Sequence, residues 1–119
     1  MTDHRISLGR KGEEFAAQYL MKSGYRIVER NFRVRSGEID IIANDGEYLV
    51  FVEVKTRSSI RFGTPADAVT SHKQQQIIKT ALVYMSQHNL HDFPVRFDVM
   101  AVMMEKGKAP RAELIRNAF

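Results

Sequence analysis

Apolar residues recur along this chain at two periods, near 3.6 and near 2, and the alternation between them predicts the elements in order. From about Leu8 to Ser23, Phe15, Ala16, Tyr19 and Leu20 fall at helical spacing, and Gly24 follows where a C-terminal cap belongs. The segment YRIVERNF, residues 25–32, mixes β-branched and aromatic residues with charges and predicts a strand. IDIIA and YLVFVEV, separated by the turn-forming Asn44, Asp45 and Gly46, predict a hairpin. Thr64 before Pro65 has the chemistry of an N-cap followed by a first helical residue. Beyond it Ile77, Ile78, Ala81, Leu82 and Met85 repeat at three and four, so a second long helix ends near His88 and Asn89. Val95, Phe97, Val99 and Ala101 then alternate with Arg96, Asp98, Met100 and Val102 in a fourth strand. After the KGKAP turn, AELIRNAF adds a short edge strand. Helix, three strands, helix, strand is an α/β order: the hairpin is antiparallel, and the strand after the second helix returns by a crossover, giving a central mixed sheet flanked by helices.

Charges interrupt the most apolar part of this pattern. A strand as hydrophobic as YLVFVEV belongs in a core, where an ionised group left unpaired costs several kcal/mol or more. Glu53 and Lys55 are two apart and therefore share a face, and the paired strand can bring Asp40 beside them. Two carboxylates and an ammonium then meet on one face of the hairpin. Upstream, Glu13 lies on the stripe of Ala16 and Leu20, whereas Glu14 is rotated away. Glu13 either favours the positive end of the helix dipole or reaches into a site.

Composition narrows the class. With 119 residues, 44% hydrophobic and 27% charged, the chain reads as one globular domain over 1–119, not as a disordered segment. No linker or repeat divides it. Cysteine is absent, which removes disulfides and thiolate metal sites and points to a reducing, cytoplasmic setting. MTDHRISLGRKGEEF holds no apolar run of signal-peptide type, and no stretch has the length of a membrane span. The net charge of +4 is modest, but its distribution is not even. Arg26, Arg30, Arg33 and Arg35 precede the acidic hairpin and Arg57 and Arg61 follow it. Basic flanks around a carboxylate cluster suit a polyanion held against a metal, so Arg10, Lys11, Arg33, Arg35, Arg57, Arg61 and Lys73 are the candidate nucleic-acid contacts.

Hydrolysis of a phosphodiester near neutral pH requires a nucleophilic hydroxide, stabilisation of charge on the phosphoryl group and help for the departing oxygen, all of which Mg²⁺ supplies. Mg²⁺, or Mn²⁺ in its place, takes hard oxygen ligands and keeps several waters, so Asp40, Glu53 and the carbonyl of Val54 form a sufficient set. Lys55 then orients water or neutralises phosphate, and Glu13 is an auxiliary ligand or base. The bland reading is a cross-strand salt bridge worth about 0 to 1 kcal/mol. Between the two stands a catalytically silent nucleic-acid-binding module that assists another enzyme.

An acid followed by E-x-K across a hairpin, in this element order, resembles the PD-(D/E)XK nuclease superfamily with its restriction-endonuclease-like fold. More closely, GRKGEEFAAQYL, GEIDIIA, VFVEVKTR, FGTPADAV and RFDV together resemble the YraN-like family of bacterial proteins, related in pattern to archaeal Holliday junction resolvases. The resemblance spans roughly Gly9 to Val102, with Ile39 where the superfamily's motif has proline. It implies a metal-dependent endonuclease site on Asp40, Glu53 and Lys55, with Glu13 matching the helical glutamate of the resolvase-like members. It also implies DNA as partner, branched by analogy with the resolvases, and a homodimer; the apolar edge near Phe119 and the second strand are the two candidate interfaces, between which the sequence does not choose.

The remaining residues carry less. Glu38 shares the face of Asp40 and is either a further ligand or, the favoured reading, an ion-pair partner for Arg33 or Arg35. Lys73 and Gln76 either approach the site or form a solvated helical face. Asp98 pairs with Arg96 or with a basic group near the site. His4, His72, His88 and His91 lack metal-ligand spacing and are read as surface residues, while Met100, Met103 and Met104 are read as core filling.

Overall fold

The computed structural model describes residues 4–58 and 69–119, with side chains from residue 8 onward in the first of these segments. The elements are α1 (His4–Lys22), β1 (Arg26–Val34), β2 (Gly37–Asn44), β3 (Leu49–Arg57), α2 (Ser71–Gln87), β4 (Val95–Met103) and β5 (Arg111–Ile115). The first helix thus begins a turn earlier than Leu8 and includes His4. Gly24 at φ 94° closes it, with Gly24 N–H donating to Met21 and Tyr25 N–H donating to Leu20 across the cap. The N-cap of α2 is Thr70, whose hydroxyl accepts from Lys73 N–H at 3.2 Å. The Thr64–Pro65 start, Arg61 and most of FGTPADAV lie outside the described residues.

The sheet runs β1-β2-β3-β4-β5, antiparallel throughout except for the parallel β3–β4 pair that α2 connects. This is an α/β architecture with a five-stranded mixed sheet and two flanking helices, compatible with a restriction-endonuclease-like core. Leu49 to Glu53 are all buried, because a strand with helices over both faces has no solvent side; this explains the unbroken apolar run. Ala16, Ala17 and Leu20 of α1 pack over Ile41, Val50, Val52 and Met100. On the other face Ile77, Ala81, Tyr84 and Met85 of α2 pack over Ile39, Ile42, Phe51 and Val99.

Two expectations change here. The second strand lies between β1 and β3 and cannot form a dimer edge; the unpaired edges among the described strands belong to β1 and β5. Phe119 stacks on Phe97 at 5.4 Å instead of forming a free apolar edge. Asp98 is fully buried and accepts from Arg96 through both carboxylate oxygens, at 2.9 and 3.1 Å from Nε. Arg96 also donates to Asp45 in the hairpin turn and to the Tyr25 hydroxyl, both at 2.7 Å, which clasps the end of the sheet away from Lys55. Among the described residues no helix is long and apolar enough to cross a membrane.

Candidate active site

The site forms where β2 and β3 part. Their pairing runs from Asn44↔Leu49 to Ile41↔Val52 and ends there, while β3 stays paired with β4 as far as Arg57. At the parting point β2 also changes face. Ile41 belongs to the α1-side core, whereas Ile39, two residues away, belongs to the α2-side core. Regular alternation would keep both on one side. The break is shared with β1, where Asn31, between the Arg30↔Ile41 and Phe32↔Ile39 pairs, sits at φ 54°. Asparagine tolerates this left-handed backbone better than most residues.

Asp40 occupies the fork. Its Oδ2 accepts the Val54 N–H at 2.8 Å, replacing the ladder bond that a continuing β2 would have made. The N–H and C=O of one strand residue point the same way, so the Val54 carbonyl also faces the side that β2 has left. Glu53, only 6% exposed, turns to the α2 side, with Lys55 Nζ at 3.5 Å and Lys73 Nζ at 3.7 Å from its Oε2. The paired carboxylates and the lysine of the sequence pattern are therefore neighbours, as expected, around a fork that the pattern did not reveal. Of the two alternatives for Lys73, an approach to the site or a solvated face, the structure has the approach. Lys73 sits one helical turn before the buried Ile77, a spacing that puts both on one stripe and that could have signalled its approach. Gln76 packs at Gly37, where a Cβ would lie 3.8 Å from its own.

Burial of Asp40, then the nearby Glu53 charge, push its carboxyl up to about 8, against the counteracting Val54 hydrogen bond; a hydrogen bond with Glu53 and the charge of Glu13 add to the rise. Glu13 enters from α1. Its side chain is 19% exposed against 56% for Glu14, and both carboxylates meet Arg30, at 3.8 and 3.0 Å. Glu13 and Asp40 line a common cavity of about 410 Å³ with Val54, Lys55 and Thr56. Gly12 makes this approach possible: a Cβ there would lie 1.9 Å from Thr56 Oγ1, so α1 meets β3 directly beside Lys55. The sequence pattern does not mark Gly12, and it marks Arg30 only as one of the flanking arginines, since nothing local announces which strand a helix will touch.

The donor set fits a hard divalent cation. Two carboxylates and a backbone carbonyl are what Mg²⁺ accepts beside its waters, and the proton affinity of Asp40, raised first by burial and then by the Glu53 charge, is what a bound cation would lower. Among the described residues no three acidic or histidine side chains converge into a preformed cage.

The other candidates divide. Arg10 and Arg33 line a second cavity, of about 690 Å³, with Glu13 and Glu38. Glu38 pairs with Arg33, the ion pair expected for it. Arg57 lines a separate cavity with Arg111, its Nε buried without a partner among the described residues. Lys11 and Arg35 are exposed, as are His72, His88 and His91.

The model of a family described as "Uncharacterised protein family UPF0102" matches residues 12–102. Similar proteins, each called UPF0102 protein, include one from Trichlorobacter lovleyi, 53% identical over 95% of this chain and 90% of its own length. Another, from Geobacter metallireducens, is 51% identical over 100% of this chain and 97% of its own. One from Rhodococcus opacus is 47% identical over 98% of both.

Proposed function

The chain belongs to the uncharacterised protein family UPF0102, the YraN family of the restriction-endonuclease-like nuclease superfamily, and on that premise we propose that it is a divalent-metal-dependent endonuclease acting on DNA. The observation that carries this reading is the β2–β3 fork, which sets the Asp40 and Glu53 carboxylates side by side with Lys55 3.5 Å from Glu53. Asp40, Glu53 and the Val54 carbonyl would hold Mg²⁺ or Mn²⁺. When bound, the ion supplies Lewis-acid stabilisation of the phosphoryl oxygens and an acidified water. In the hydrolysis a water oxygen bonds to phosphorus as the P–O bond to the leaving sugar oxygen breaks; one proton leaves the water and one reaches the departing oxygen. Lys55 orients the water or neutralises the phosphate, and Glu13, which lines the same cavity, would accept the water's proton or add a ligand. Arg10, Arg33 and Lys73 supply positive charge to the polyanion. The likeness to junction resolvases favours branched DNA and a two-fold dimer, for which β1 and β5 offer the open edges.

One observation favours a second reading. Glu53 already has two ammonium partners, Lys55 and Lys73, which can satisfy it without a metal, as in a silent nucleic-acid-binding module. Titration with Mn²⁺ followed by paramagnetic NMR line broadening separates the two. Broadening centred on Asp40, Glu53 and Lys55, lost in Asp40→Asn, together with metal-dependent cutting of branched or linear DNA, supports the enzyme. Uniform broadening unchanged by the substitution, with DNA bound and never cut, supports the module.

A further inference from the structure

Helix α1 holds two glycines one turn apart, and only one of them is explained by packing. Gly12 is required by its approach to Thr56, whereas among the described residues a Cβ built at Gly9 meets nothing within 4 Å. Glycine inside a helix costs stability relative to alanine, so an unpacked one calls for another cause. Gly9 lies on the wall of both cavities described above, and so does Glu13, one turn along the same face. The two cavities are therefore successive lengths of one groove, running beside α1 from Arg10 and Arg33 to Asp40 and Lys55.

We infer that this groove is the track along which the sugar–phosphate backbone of one DNA strand reaches the fork, and that Gly9 is where that backbone passes α1 at a distance a side chain would forbid. The inference rests on the proposed nuclease reading and specifies its substrate path. Cations stand at both ends of the groove, Arg10 at one and Lys55 at the other. Two of its carboxylates are offset, Glu38 by Arg33 and Glu13 by Arg30. Among the described residues no aromatic side chain lines either cavity to serve as a platform for stacking bases. Contact is with phosphate and sugar, which positions a strand without reading its sequence.

The test compares wild type, Gly9→Ala and Gly9→Leu as full chains, measuring melting temperature, Mn²⁺ line broadening at the fork, and affinity for fluorescent phosphorothioate DNA. The alanine variant is expected to melt higher yet bind DNA more weakly, opposite signs that a purely structural glycine would not produce. The leucine variant should weaken DNA binding by roughly ten- to a hundredfold, the scale of one overpacked contact, with Mn²⁺ broadening retained. DNA affinity unchanged in both variants, with the fork still binding Mn²⁺, overturns the track and leaves the proposed function standing. If leucine disturbs the fork itself, the alanine variant decides. Should wild type bind neither Mn²⁺ at the fork nor DNA, the proposed function fails and the track with it.

Discussion

Replacing Asp40 by Asn should make the metal-free protein more stable, and increasingly so toward alkaline pH. The carboxyl sits at about 8 in the folded chain against an ordinary value of 3.8. A raised carboxyl pKa means that the native state holds the proton after the unfolded chain has released it. Below 3.8 both states carry the proton and the group is neutral in the balance. Between 3.8 and about 8 native stability falls as pH rises, by at most about 1.4 kcal/mol per pH unit, and above about 8 the full penalty persists. The span bounds the penalty at several kcal/mol. Asparagine keeps an oxygen for the Val54 N–H, offers Glu53 an N–H donor, and carries no charge to desolvate. The variant should therefore match wild type near pH 4 and exceed it by roughly 2–5 kcal/mol near pH 9. For 119 residues each kcal/mol corresponds to about 4 °C in melting temperature. Urea denaturation in EDTA across this range, read by circular dichroism, measures the difference. Excess Mn²⁺ should then stabilise wild type and not the variant. Parallel stability curves for the two proteins, or a variant that is weaker at alkaline pH, would refute the account of Asp40 as a crowded, desolvated acid.

Three further outcomes follow from the packing. Asp98→Ala leaves Asp45 as the one carboxylate, among the described residues, on the buried Arg96 guanidinium and should cost about 1–3 kcal/mol, whereas the double change Arg96→Met with Asp98→Leu should cost less than the single one; denaturation midpoints compare them directly. Gly12→Ala pushes α1 off β3 at Thr56, destabilising by roughly 1–3 kcal/mol and reducing Mn²⁺ broadening at Glu13 and Asp40 together; a variant with native stability and native broadening contradicts the contact. Lys73→Met removes one of the two ammonium groups beside Glu53 and should tighten Mn²⁺ binding by roughly threefold by calorimetry, a weak effect because the lysine is partly solvated; weaker metal binding would mean that the lysine organises the site instead of competing with the ion.

Much of the arrangement was legible from local pattern. Helical spacing in α1 separated Glu13 from Glu14, and strand alternation put Glu53 and Lys55 on one face, because both periods are set by the backbone of a single element. The turn letters Asn44, Asp45 and Gly46 folded as their chemistry requires, with Asp45 Oδ1 accepting from Glu47 and Tyr48 at 2.9 and 2.7 Å and Gly46 at φ 103°.

What the sequence by itself determined, then, is the identity and order of the elements and the face on which each charge lies. Tertiary structure alone decided that β2 leaves β3 at Ile41, that Asp40 spends its carboxylate on the Val54 N–H, and that β2 is an interior strand unable to offer a dimer edge. It also decided that Lys73 reaches Glu53 and that Gly12 admits α1 against Thr56. Those contacts join residues far apart in the chain. They are selected by whichever assembly buries the apolar faces and pairs the buried polar groups, a condition that no single segment can express.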